Sequence, residues 1–394
     1  MIQPSLQLRT PWLPIALASG GLALAVALVL ASSSVPGLLR LESSTADIRT
    51  ALLSYRTTAE HPGVAVVAIS DETLKSFATK SPIDRGLLAS LVTAIDSAGP
   101  RAIGLDVYFL RRTEDDKDRA LQSALRDAKA VVVPGALDER GRMTPEQKVY
   151  QDEFLASTRR PAGFLALQFD RDGVVRTIAG PAPATRYPDS LPVLLARAIK
   201  SNVEPPAGRI AWLQLVEPTA LLSTFVNWEG RNPFPVIAAE DVLDPKRQDL
   251  RDKLEGRIVL IGADFAYIDR HRTPLTVWSG EETAGVMVHA QVVAQLLDAR
   301  AVSDVTPANA RLVALALACL GGLLGWRFRF RRFDFLGWSI AAAGLTAIDA
   351  LIFSNAHVIL PFMVSMLAWF AGVTAGHNLG HIYDWELKRA GQRA

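Results

Sequence analysis

Three carboxylates, Asp71, Asp106 and Asp264, each end or nearly end a short apolar run that reads as a β-strand. In a parallel sheet, ligands favour the crevice outside the carboxyl ends of the strands. If these runs lie parallel, the three acids converge on one edge. Arg85, Asp269, His271 and Arg272 follow nearby in sequence, and His289 more remotely. Carboxylates beside arginine and histidine can hold a small polar ligand, so Asp71, Arg85, Asp106, Asp264, His271 and Arg272 form the candidate ligand-binding set. A plainer reading stands beside it: polar groups at strand ends often cap the next helix or pair with an arginine. A divalent-metal site and a catalytic carboxylate pair are the further alternatives. His289 lies in a stretch crowded with valine and leucine, as a hydrogen-bonded core histidine or as a ligand.

His377, His381 and Asp384 share one helical face at i, i+4 and i+7, a spacing that suits either a metal or contact with lipid headgroups. The chain carries no GxxxxGK phosphate loop, no GxGxxG after a strand, no HExxH and no GxSxG. No catalytic residue, cofactor or metal is assigned, and an enzyme is not expected.

The elements that must position these residues are legible in part. Val64–Ser70 (VAVVAIS) is a short β-branched apolar run, a buried strand. A predicted helix from 84 to 98 stops at Gly99-Pro100. Strands at 102–109 and 130–134 flank a helix at 115–129. Continuous apolar strands alternating with helices indicate a parallel sheet covered on both faces. From 135 to 206 the pattern is weaker: 164–170 and 174–178 read as a hairpin around Asp172-Gly173, and 190–200 as a helix. Strands follow at 222–228, 236–239 and 257–262, then a helix at 284–300. The expected fold class is an α/β extracytoplasmic domain with a mixed, centrally parallel sheet, plus four transmembrane α-helices.

The membrane frame rests on charge. Arg327, Arg329, Arg331 and Arg332 sit between two long apolar runs, and short loops dense in Lys and Arg stay cytoplasmic. The expected organisation is a cytoplasmic N-terminus (1–11), spans at 12–32, 311–327, 335–353 and 357–376, an extracytoplasmic domain at 33–310, an Arg-rich cytoplasmic loop at 328–334 and a cytoplasmic tail at 377–394. Of the 394 residues, 49% are hydrophobic, which suits a few spans plus one folded domain. The net charge of +2 gives no argument for nucleic acid. The single cysteine, Cys319, lies in an apolar run, so the exported domain stands on its core without an intrachain disulfide.

Gly321 and Gly325 form one small-residue stripe, and Gly372, Gly376 and Gly380 another. Such stripes let helix backbones approach closely, within one bundle or between copies. Asp349 is an intramembrane charge near the outer end of its span, with Arg311 on the preceding span as its expected partner. Leu41, Ile48, Leu52 and Tyr55 recur at helical multiples and suggest a helix running from the first span toward the domain.

The exported segment resembles the CHASE2 family of bacterial extracytoplasmic sensor domains. The resemblance rests on Asp47-Ile48-Arg49, on VAVVAISDETL with Ser70-Asp71-Glu72, and on AIGLDVYF with Gly104, Asp106 and Phe109. It continues through Asp115 and Asp116, LEGRIVLIGAD, Thr273-Pro274, and AGVMVHAQ with Gly285 and His289. One departure concerns the stretch after the first strand, where family members carry Trp and Pro before an Arg; here it reads Lys80-Ser81-Pro82-Ile83-Asp84-Arg85, without tryptophan. If that stretch contributes to sensing, the ligand differs. Family members often continue into a kinase or cyclase, for which the tail at 377–394 has no room. The resemblance implies a multi-pass protein of the bacterial inner membrane that senses outside and passes a signal to a separate effector. The alternative is a structural or assembly component of an envelope complex or homo-oligomer.

Overall fold

In the computed structural model the described residues are 12–31, 35–77, 79–137, 143–183, 185–201, 203, 221–227, 232–328 and 334–391. Arg329, Arg331 and Arg332 lie outside them. Contacts divide the chain into two units, one holding the described residues up to 49 and from 303 onward, the other those from 50 to 302. The first unit begins with helix α1 (Trp12–Ala31) and continues into α2 (Pro36–Leu53), which belongs to it through Arg49.

The second unit is an α/β domain. Its elements in order are β1 (Tyr55–Thr57), β2 (Val64–Ile69), α3 (Arg85–Ser97), β3 (Ala102–Asp106), α4 (Asp115–Asp127), β4 (Val131–Ala136), α5 (Pro145–Thr158), β5 (Gly163–Phe164) and α6 (Leu191–Arg197). They continue with β6 (Phe225–Asn227), β7 (Val236–Ala238), α7 (Ala239–Val242), α8 (Leu250–Leu254), β8 (Ile258–Ala263), β9 (Arg270–His271), α9 (Thr276–Ser279), β10 (Thr283–Ala284) and α10 (Gly285–Leu297). Six strands form the central sheet in the order β5-β4-β3-β8-β2-β7, and every pairing among them is parallel.

The continuous apolar strands follow from burial on both faces. Side chains alternate across a strand, so Ala65, Val67 and Ile69 enter one core with α3, α4 and α5, while Val64 and Val66 enter the other with α6 and α10. In β8, Val259 and Ile261 face the first core, and Ile258 and Leu260 the second. All are fully buried, each worth about 1.5–3 kcal/mol relative to exposure. Gly262 lets α10 close onto the sheet: a Cβ there would stand 2.6 Å from Val286 Cβ.

Two expectations are corrected. Among the described residues the central sheet is not mixed. Phe164, read as the first residue of a hairpin arm, pairs in parallel with β4, while the hairpin itself survives as a turn from Asp170 to Val174 and an antiparallel bridge of Gln168 with Thr177. The strand read at 222–228 leaves the main sheet altogether, as β6, to pair in parallel with β1. Antiparallel pairing is confined, among the described residues, to the β9–β10 ladder and isolated bridges. The illegible middle contains α5, opened by a reciprocal cap between Thr144 and Gln147 with Pro145 in its first turn.

The first unit resumes with β11 (Ser303–Asp304), α11 (Pro307–Arg327), α12 (Asp334–Ala356), β12 (Val358–Ile359) and α13 (Phe362–Gly391). Among the described residues three helices are long and apolar enough to cross a membrane: Trp12–Leu30, Pro307–Arg327 and Leu336–Ala356. Val358, expected inside the last span, instead pairs with Ser303 in a short parallel ladder, and α13 starts only after Pro361. The glycine stripes are spent within the chain. A Cβ at Gly325 would lie 2.5 Å from the Val373 carbonyl oxygen, and Gly321, Gly372 and Gly376 likewise face backbone across the α11–α13 contact. Gly380 is buried on α13.

Asp349 does not pair with Arg311. Its carboxylate takes both hydrogen bonds from Arg49 Nη1, at 2.5 and 2.6 Å, while Arg49 Nη2 donates to the Leu360 carbonyl at 3.2 Å. Glu42, also on α2, accepts from the backbone N–H of Val364 in the first turn of α13 at 3.1 Å. Near the other end of α13, His377 and His381 face each other with Nε2 atoms 3.1 Å apart.

Candidate functional site

Because the six strands are parallel, their carboxyl ends share one edge. A crevice of about 800 Å³ opens there. Asp106 enters it from the end of β3, Ala263 from the end of β8, Leu137 and Leu165 from just beyond β4 and β5, and Gly285 and His289 from the start of α10. The stretch after β2 supplies another wall through Lys80, Ser81, Pro82, Ile83 and Arg85.

Asp106 and His289 are the buried polar pair of this crevice. His289 Nε2 lies 3.7 Å from Asp106 Oδ1, and the two side chains are 5% and 9% exposed. Asp106 Oδ2 and His289 Nδ1 make no hydrogen bond of standard geometry. Burial, and then the Asp269 charge, push the Asp106 carboxyl up to about 8. Burial pulls the His289 imidazole down to about 4, against the opposing charge of Asp269 and a nearby Leu165 carbonyl. At neutral pH both groups are therefore uncharged.

Asp269 behaves differently. Its burial alone would raise its pKa, but a 2.9 Å hydrogen bond from His271, together with positive charge from that ring and from Arg270, holds it below the usual carboxylate range. Its backbone adopts the left-handed region, with φ 57°, which Asp tolerates better than most residues. The turn brings the Asp269 carbonyl to the Gly285 N–H at 3.0 Å. A Cβ at Gly285 would collide with the Asp269 carboxylate.

Arg85 is fully buried under the crevice wall, its guanidinium 4.6 Å from the centroid of the Phe109 ring. Burial lowers its pKa. Asp118, 3.7 Å away, is its counter-ion, but that carboxylate already accepts from Thr113 and from the Tyr150 hydroxyl at 2.8 Å. No Arg85 nitrogen has a standard hydrogen bond.

Of the six residues expected from sequence, Arg85, Asp106 and His271 line the crevice, while Asp71, Asp264 and Arg272 do not. Asp71 is exposed, bonded to Lys80 and to the Ala266 N–H. Asp264 pairs with Arg270 at 2.6 Å. Arg272 takes part in a bridge to Val174 through its backbone. Lys80 also lines the crevice, from the stretch that departs from the family pattern, and so does Arg111, which nothing in its local sequence marks. Asp84 takes the plain capping role, accepting from the Leu87 N–H at 2.9 Å. Among the described residues no three His, Cys, Asp or Glu side chains come together as a metal site.

The buried pair gives stability a pH signature. Asp106 holds its proton up to about 8 in the fold but only to about 3.9 when unfolded. The native state therefore binds the extra proton, and stability falls as pH rises through this window. His289 acts oppositely: the unfolded ring protonates near 6.5 and the folded one near 4, so stability falls as pH drops between those values. The two effects oppose below about 6.5, leaving Asp106 alone above it. Melting temperature should fall between pH 6.5 and 8.5, by at most ~1.4 kcal/mol per pH unit in stability. Asp106→Asn should flatten that limb. A wild-type limb that is already flat, or one that survives the substitution, would show that the carboxyl is ionised in the fold.

Comparison with curated proteins and with solved structures finds no match. The CHASE2 domain profile matches residues 22–324, from within α1 to within α11. That span holds the whole parallel-sheet domain and its crevice, and the chain belongs to the CHASE2 domain family.

Proposed function

We propose that this chain is a signal-input protein of the bacterial inner membrane. Its CHASE2 sensory-type domain is displayed outside the cytoplasm, reads a small ligand in the strand-end crevice, and passes the change through the membrane helices to a separate effector. The observation that carries the reading is the crevice itself, whose floor presents buried polar atoms that make no hydrogen bond of standard geometry. Unpaired buried polar atoms cost stability, and a ligand that satisfies them is selected for doing so. Binding shifts a two-state domain only by the difference in affinity between its states.

In this reading α13 is the fourth span, joining the three apolar helices, so that both termini are cytoplasmic. The arginines at 327, 329, 331 and 332 favour that orientation. Reporter fusions after residues 140 and 330 test it. The expected outcome is an external reporter at the first position and an internal one at the second; the reverse ends the proposal. A pull-down of the full-length protein from detergent should recover an effector. Large homomeric particles in native purification, without an effector, would favour the assembly reading. Against that reading stands the fact that the glycine stripes already pack within the chain.

A further inference from the structure

The crevice wall is mostly positive, and its floor has another character. Lys80, Arg85 and Arg111 contribute three cations. Lys80 meets Asp71 and Arg85 meets Asp118. The hydrogen bond of exposed Arg111 goes to a neutral group, the Ser81 carbonyl, at 2.9 Å. Arg111 also stands close enough to Arg85 for the two positive charges to repel. The facing carboxylate, Asp269, is already bonded to His271. The floor is different: Asp106 Oδ2 and His289 Nδ1 are buried and make no hydrogen bond of standard geometry, the imidazole having only the nearby Leu165 carbonyl. Leu165, Leu167, Phe169, Phe265 and Ile268 supply apolar wall.

Building on the crevice as a ligand site, we propose that it takes a small organic acid, whose carboxylate is held at Arg111 and Lys80 and whose hydroxyl or amide group reaches Asp106 and His289. An arginine fork matches a carboxylate in plane and charge. A ligand amine would add positive charge to a wall that already carries an excess. It would also have to draw the proton from Asp106 to gain a counter-charge there. A group that both donates and accepts satisfies the two floor atoms without moving a proton onto or off the protein. The volume, about 800 Å³, falls in the range of small-molecule sites.

The test uses the full-length protein in detergent. Matched benzoates, benzamides and benzylamines, each with and without a ring hydroxyl, are measured by calorimetry. Hydroxybenzoates should bind about tenfold or more tightly than the corresponding amides, as loss of one charge-assisted contact implies. Arg111→Gln should erase that preference, whereas Arg112→Gln, whose side chain is exposed and pairs with Asp115, should leave it intact. Asp106→Asn should remove the gain from the ring hydroxyl. Tighter binding of amides or amines, still weakened by Asp106→Asn, would overturn the organic acid and keep the site. Carboxylate binding unchanged by Arg111→Gln would overturn the assignment of the carboxylate to Arg111. Binding by none of the probes would overturn the acid and the crevice together.

Discussion

Replacing Asp349 with leucine is expected to destabilise the membrane unit by about 3–5 kcal/mol, the cost of leaving a buried charge without its partner. Arg49 and Asp349 are 7% and 8% exposed, and the carboxylate receives both its hydrogen bonds from one guanidinium nitrogen. Without Asp349, Arg49 keeps the Leu360 carbonyl, the Phe353 ring 5.8 Å from its guanidinium carbon, and the more distant Glu42 charge, none of which replaces the carboxylate it contacts directly. Arg49→Met should cost a similar amount for the mirror reason. The double variant carrying both Arg49→Met and Asp349→Leu should recover most of the loss, because well-packed apolar groups often replace a buried pair at no net cost. Unfolding in detergent micelles, run as a double-mutant cycle, measures the coupling. Additive losses would mean that the two side chains do not depend on each other. The cycle bears on signalling too. Glu42 and Arg49, both on α2, hold the start of α13 and the C-terminal part of α12, and α2 leads directly by chain into the CHASE2 domain. If this attachment transmits the signal, the double variant should fold yet respond to ligand with a weaker output.

That pair spans 300 positions, which is why no local pattern discloses it. Arg311 is the nearer candidate by span order, and order along the chain says little about which charge folds back. The parallel sheet, by contrast, is legible, since a strand buried on both faces must be apolar throughout and VAVVAIS is. Helix α5 escapes a reading by periodicity because it buries only Gln151, Phe154, Leu155 and Thr158, two of them polar, so its apolar pattern is faint. Its cap, Thr144 with Gln147 and Pro145 between them, is the readable signal. At the site, strand ends are placed well enough by sequence to bring Asp106 into the crevice. Asp71 and Asp264 lie only a residue or two beyond their strands, yet loop geometry turns both away, toward Lys80 and Arg270. Arg111 and Lys80 reach the crevice from loops, where sequence carries little information about direction.

The second large effect lies where α11 and α13 touch. Gly376→Leu is expected to prevent these helices from packing. A Cβ at Gly376 would overlap the Gly322 carbonyl, and at Gly372 the Ala318 carbonyl. Both neighbours are backbone, so no side-chain rotamer relieves the clash, and the helices must separate along their length. Gly376→Ala already brings one methyl group into that overlap and should cost about 1–3 kcal/mol, the usual range for overpacking. A Cβ added at Gly344 on α12 would instead meet nothing within 4 Å. There Gly344→Ala should be neutral or slightly stabilising, by up to ~1 kcal/mol from helix propensity. Thermal unfolding of the three variants in one detergent separates contact from composition, because all remove a helical glycine. If Gly376→Leu melts with the wild type, α11 and α13 do not depend on backbone contact. If it fails while Gly344→Ala holds, the two helices form a rigid pair. A rigid pair can only shift as one body, so a displacement imposed at the N-terminal end of α13, where Glu42 caps it, must reappear at its C-terminal end rather than dissipate by sliding along α11.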